Sequence, residues 1–114
     1  VVNGDRVEVD LQLVSDGHLH RFAYDASGTE VRFIVIQKNP TAFGTGLDAC
    51  EICGPSGYFE RDGKVVCREC DVIMNTSTIG FPGGCNPIPI QYELTGGKLL
   101  FQVAELESQA RVFA

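Results

Sequence analysis

Apolar and polar positions alternate at the start of the chain. Val7, Val9, Leu11 and Leu13 fall on one face, and Glu8, Asp10 and Gln12 on the other. A period of two predicts a half-buried strand over 6–13. Ser15-Asp16-Gly17 reads as a turn. A second strand is predicted over 18–25, with His18, His20, Phe22 and Tyr24 on one face. After Ala26-Ser27-Gly28-Thr29, a run rich in β-branched residues (Val31, Ile34, Val35, Ile36) predicts a third, mostly buried strand over 30–37. The three are expected to form an antiparallel meander. Residues 38–49, with Pro40 and two glycines, read as a loop, with one helical turn near Leu47.

Further along, Asp62-Gly63 sits between two apolar stretches and signals a two-residue hairpin loop. Closing on it sets Tyr58 opposite Cys67. Residues 76–89 hold glycine and proline punctuation and read as an irregular loop. Strands are predicted over 90–94 and 98–103, joined by Thr95-Gly96-Gly97, and a short helix over 104–113 with Leu106, Ala110 and Phe113 on one side. The fold class expected is mainly β: a small antiparallel sheet or sandwich with a zinc-ribbon-like double-knuckle insertion at about 47–89 and a short C-terminal helix. A chain of 114 residues is expected to be a single metal-binding domain, 1–114.

Composition changes this picture little. With 44% hydrophobic and 21% charged residues the chain is an ordinary globular one. Nine Lys and Arg, scattered singly against 15 Asp and Glu, give a net charge of -6, which argues against nucleic acid and anionic membrane surfaces as partners. No apolar run is long enough to span a membrane. The chain opens directly on a strand pattern and reads as a mature or excised domain.

Cysteine changes the picture most. The chain's five cysteines all lie within 50–85. Cys50-Glu51-Ile52-Cys53 and Cys67-Arg68-Glu69-Cys70 are two C-x-x-C pairs, and Cys85 follows in Gly83-Gly84-Cys85-Asn86-Pro87. Two such knuckles, brought together by the hairpin between them, present four soft thiolates to one metal. Zinc, copper, mononuclear iron and an iron–sulfur cluster all accept thiolates, so spacing alone leaves the metal open. A zinc staple and a pair of disulfides are the plainer readings of the four thiols. Cys85 is in excess of a closed four-thiolate site, and is either an extra ligand or a buried free thiol. His18 and His20, one residue apart on a strand, are candidate imidazole ligands or ordinary sheet histidines. Met74 reads as core packing. Asp48, Glu51, Glu69 and Asp71 flank the knuckles, where they would attract a cation or simply be solvated. Neither a nucleophile–base constellation nor a phosphate-binding glycine loop is present, so a self-contained enzyme is not expected.

These residues resemble a known family. Asp48-Ala49-Cys50-Glu51-Ile52-Cys53-Gly54, Gly57-Tyr58, Val66-Cys67-x-x-Cys70, Thr78-Ile79-Gly80 and Gly83-Gly84-Cys85-Asn86-Pro87-Ile88-Pro89 are similar to the FtrD-like family of membrane iron–sulfur proteins. So is Asp16-Gly17-His18-Leu19-His20-Arg21-Phe22-x-Tyr24. The resemblance implies an extracytoplasmic, periplasmic or cell-surface domain attached to the membrane. It also implies iron or an iron–sulfur cluster as cofactor, and iron-permease or redox components of an uptake system as partners. The function so expected is metal binding and electron transfer in support of iron transport, with Cys50, Cys53, Cys67 and Cys70 as ligands and Cys85, His20 and His18 as additional candidates. A copper or zinc module for storage, sensing or transfer, and a thiol–disulfide oxidoreductase, are the alternatives.

Overall fold

The computed structural model describes residues 2–3, 5–26, 28–39, 42–49, 57–61, 64–68, 73–74, 79 and 87–113. In chain order the described elements begin with β1 (Val2–Asn3), β2 (Arg6–Asp10), α1 (Leu11–Val14), β3 (His20–Ala26), β4 (Thr29–Asn39) and β5 (Ala42–Leu47). They continue with β6 (Tyr58–Arg61), β7 (Lys64–Cys67), β8 (Ile73–Met74), β9 (Glu93–Thr95), β10 (Lys98–Gln102) and α2 (Val103–Ser108), followed by a 3-10 turn at Ala110–Val112. The protein is mainly β, in three small antiparallel sheets with a short C-terminal helix. The strand orders are β1-β2-β10-β9, β3-β4-β5 and β6-β7-β8.

The middle sheet lies between two apolar layers, and β4 shows why. Val31, Phe33 and Val35 join Val7, Val9, Leu99, Phe101 and Leu106 in the main core. Ile34 and Ile36 point the other way, into a second cluster with Tyr58, Val65, Cys67 and Ile79. A strand buried on both faces has no polar face to present, so 33–36 is unbroken apolar sequence. Each such side chain contributes about 1.5–3 kcal/mol on burial. The Phe33 ring packs between Phe22 and Phe101, at centroid separations of 5.5 and 4.9 Å.

Three local expectations are corrected. The strand predicted over 6–13 ends at Asp10, and one helical turn follows. In that turn Leu11 and Val14 share a side, so Val14 is buried while Leu13 is 60% exposed. The expected meander of the first three strands does not form: β2 pairs instead with β10, Val7 opposite Phe101 and Val9 opposite Leu99. The meander is β3-β4-β5.

The third correction is β5 itself, predicted as loop. Phe43, Thr45 and Leu47 face the main core, but Gly44 and Gly46 stand where polar or apolar side chains would have revealed the alternation. Those glycines are there because another segment lies against them. A Cβ on Gly44 would meet Ile79 at 2.9 Å, and one on Gly46 would meet Pro87 at 2.8 Å. The segment predicted as a strand from Ile90 runs along β5 before its own strand begins at Glu93. Leu47 N–H donates to Ile88 C=O, Ile88 N–H donates to Ala49 C=O, and Thr45 Oγ1 donates to Ile90 C=O. The turn at Gly96-Gly97 is as read, with both residues at positive φ (57° and 73°) as a two-residue hairpin loop requires.

Candidate metal centre

The hairpin places Cys67. β6 and β7 pair in the register the sequence predicts, Tyr58 opposite Cys67 and Phe59 opposite Val66. Residues directly opposite in an antiparallel pair share a face, so Tyr58, Val65 and Cys67 all turn toward the middle sheet. Cys67 carries a free thiol and is 1% exposed.

Asp48 fixes the other approach to this point. Its side chain is 3% exposed, and Oδ1 accepts the Tyr58 N–H at 2.8 Å while Oδ2 lies 3.3 Å from Arg32 Nε. The carboxylate therefore ties the residue before Ala49-Cys50 to the strand position facing Cys67. Gly57 has to be glycine here. Its φ is +90°, and a Cβ would come within 3.0 Å of Asp48 Oδ2. Arg68 N–H donates to Gly57 C=O at 3.0 Å, which closes the mouth of the hairpin. In the sequence Asp48 is one of several charges flanking the knuckles. Its adjacency to the first knuckle was visible, but its burial was not.

Three chain positions are thereby gathered at one end of the middle sheet: Ala49, the Tyr58–Cys67 pair, and Pro87-Ile88. Cys50 follows the first directly, and Cys85 precedes Pro87 by two residues. Cys50, Cys53, Cys70 and Cys85, with Glu51, Glu69 and Asp71, lie outside the described residues. Met74 pairs through its backbone with Val65. Among the described residues no group of three or more His, Cys, Asp and Glu side chains is arranged to hold a metal ion.

The two histidines do not share a strand face as predicted, because β3 begins at His20 and His18 precedes it. Each ring meets its own carboxylate. His18 Nδ1 lies 2.7 Å from Glu60 Oε2 on β6, and His20 Nε2 lies 2.9 Å from Asp16 Oδ1. Asp16 also accepts the His18 backbone N–H, and Glu60 Oε1 that of Leu19. The Glu60 hydrogen bond and charge raise the His18 pKa above its ordinary value, and the Asp16 charge adds to this. The His20 hydrogen bond lowers the Asp16 pKa, helped by the His18 N–H. Arg21 also reaches the hairpin: its Nη1 donates to Tyr58 C=O at 3.3 Å. Asp16 and Arg21 lie in the family-like stretch 16–24, but nothing in the sequence marks them or Glu60 as partners of these groups, because each is a polar residue in a turn or on a strand like many others.

The sequence pattern of the family described as membrane iron-sulfur containing protein FtrD-like matches residues 14–113. No curated protein and no solved structure matches the chain.

Proposed function

We propose, from the premise that this chain belongs to the FtrD-like family, that it is an extracytoplasmic metal-binding and electron-transfer module serving iron transport. The thiolates of Cys50, Cys53, Cys67 and Cys70 hold iron or an iron–sulfur cluster, with Cys85 as an extra ligand. The observation that carries this reading is the convergence of Ala49, the Tyr58–Cys67 pair and Pro87-Ile88 through the Asp48 and Ile88 hydrogen bonds. Each of these points is at, or within two residues of, a cysteine. The donor chemistry fits: soft thiolates suit iron and iron–sulfur clusters. When bound, such a centre supplies one-electron chemistry. The chain's own part is to bring the ligands together, keep water from Cys67, and fix its charge environment.

His18 and His20 stay in the proposal as ligands, His18 from beside Glu60 of the hairpin and His20 only round the edge of β3, since His20 stands opposite Val35 on the main-core face. A carboxylate on one ring nitrogen is the arrangement that orients a metal-binding imidazole through the other. In the family's description the protein is a membrane one, while no helix among the described residues is long and apolar enough to cross a membrane. Attachment to the membrane, and partnership with iron-permease or redox components, belong to the proposal. So does the single-domain organisation of 1–114.

Elemental analysis and the visible spectrum of protein purified from its native compartment test the reading. Iron with acid-labile sulfide is the expected result, lost on Cys67→Ser. Colourless protein with one tightly held zinc, unchanged by Cys85→Ser, would reduce the site to a staple and sink the redox role. A metal-free protein whose cysteine pair equilibrates with glutathione would make it a thiol–disulfide oxidoreductase.

A further inference from the structure

Arg21 is the middle-sheet cation that reaches the cysteine hairpin, and we infer that it offsets the negative charge of the thiolate–metal centre and so raises its affinity for an electron. The inference rests on the metal reading above. Arg21 stands opposite Ile34 on β3, on the sheet face that the hairpin covers. Its guanidinium donates to the carbonyl of Tyr58, the residue paired with Cys67. The charge is thus held at the strand that faces the one described cysteine.

The hairpin's Arg61 and Arg68 lie over the Phe59 ring at 5.1 and 5.7 Å. Arg32, on the same face two residues along the partner strand, has Asp48 at 3.3 Å and lies over the Phe113 ring at 5.0 Å. Glu60, on β6, is taken by His18. Asp25, farther along the face, accepts the Gly28 N–H. Glu30 stands opposite Asp25, beyond Arg32. Among the described residues no carboxylate lies within ion-pairing distance of Arg21. A cavity of about 180 Å³ joins Arg21 to Arg32 and Asp48, and so to the step that leads into Ala49-Cys50.

A guanidinium cannot be neutralised by losing its proton, so this charge is present at every working pH. Four thiolates outweigh the charge of any divalent or trivalent ion, which makes the centre anionic whichever metal it holds. Were iron held there, its reduction from ferric to ferrous by an external one-electron donor would add one more negative charge, with no proton moved. A fixed cation nearby favours that more negative state. Arg21 touches the chain at Tyr58 and acts through the field it sets, so it is a positioning residue and not a ligand.

The test uses the full chain loaded with iron, in the parent, Arg21→Lys and Arg21→Gln forms. The midpoint potential is read from the visible spectrum during a dithionite titration, and iron retention is read against EDTA. Arg21→Gln keeps a donor for the Tyr58 carbonyl but no charge. It is expected to weaken the one-electron reduction equilibrium on the order of threefold or more and to release iron faster, while Arg21→Lys stays near the parent. Equal shifts in both variants would make Arg21 a structural tether, and no shift in either would remove it from the centre altogether. A parent that binds no iron defeats the metal reading and this inference together. A parent that binds iron normally with unresponsive variants defeats only the inference. Arg21 is exposed, so both variants are expected to fold, and the Lys form checks this.

Discussion

At the scale of single residues, the clearest constraint is the pair Gly57 and Asp48. A buried carboxylate is tolerable only when hydrogen-bonded and charge-paired, and Asp48 has a backbone N–H on one oxygen and a guanidinium by the other. Gly57 supplies the left-handed turn that aims the Tyr58 N–H at it. Gly57→Ala is expected to cost about 1–3 kcal/mol, from the strained φ and the crowded carboxylate. Urea unfolding would register this as a lower midpoint with an unchanged slope. An unaltered midpoint would mean that the Asp48 clamp can move aside freely. In the sequence Gly57 stands out only as part of the family-like Gly57-Tyr58 pair. Nothing local marks which glycine sits at positive φ against a buried carboxylate.

Among the elements, the β6–β7 hairpin and β5 make opposite cases. The hairpin was legible because Asp62-Gly63 dictates a two-residue loop, and loop length fixes register. The pairing of Tyr58 with Cys67 follows from that alone. β5 was illegible because its two glycines answer to Ile79 and Pro87, residues more than 30 positions away. They keep the Pro87-Ile88 segment, and with it the approach to Cys85, against the sheet. Gly46→Val would drive a side chain into Pro87 Cβ and the Ile88 carbonyl. It is expected to destabilise the protein by about 1–3 kcal/mol through overpacking. If Cys85 is a ligand, metal content should fall with it. Metal retained in full by a destabilised Gly46→Val protein would detach Cys85 from the centre.

For the whole molecule, the question is what joins the cysteine layer to the rest. Apolar packing of Ile34, Ile36, Tyr58 and Val65 does most of it, and His18–Glu60 adds a polar tie between the approach to β3 and the hairpin. That tie depends on pH. Glu60 raises the His18 pKa above 6.5 in the folded state, so its contribution is complete below 6.5 and fades as pH rises through the folded value. The stability difference between the parent and His18→Gln should therefore be largest below pH 6.5 and close at alkaline pH, when urea midpoints are compared across that range. His18 is exposed, so the difference is small at any pH. A gap that widens toward alkaline pH would contradict the ion pair.

The sequence by itself determined what depends on neighbours along the chain. These are the hairpin register, the buried run of β4, the Gly96-Gly97 turn, the C-terminal helix, and the thiolate-rich composition of the site. Each is encoded by alternation, turn chemistry or spacing within a few residues. Tertiary structure alone decided the rest. The pairing of β2 with β10 joins residues about 90 positions apart, and antiparallel alternation is satisfied equally by any partner with a matching apolar face. The burial of Asp48, the separate carboxylate partners of His18 and His20, and the placing of Arg21 beside Tyr58 all depend on which surfaces meet once the layers stack. The cysteines were named by the sequence. The charges and hydrogen bonds that set the surroundings of Cys67 came only with the fold.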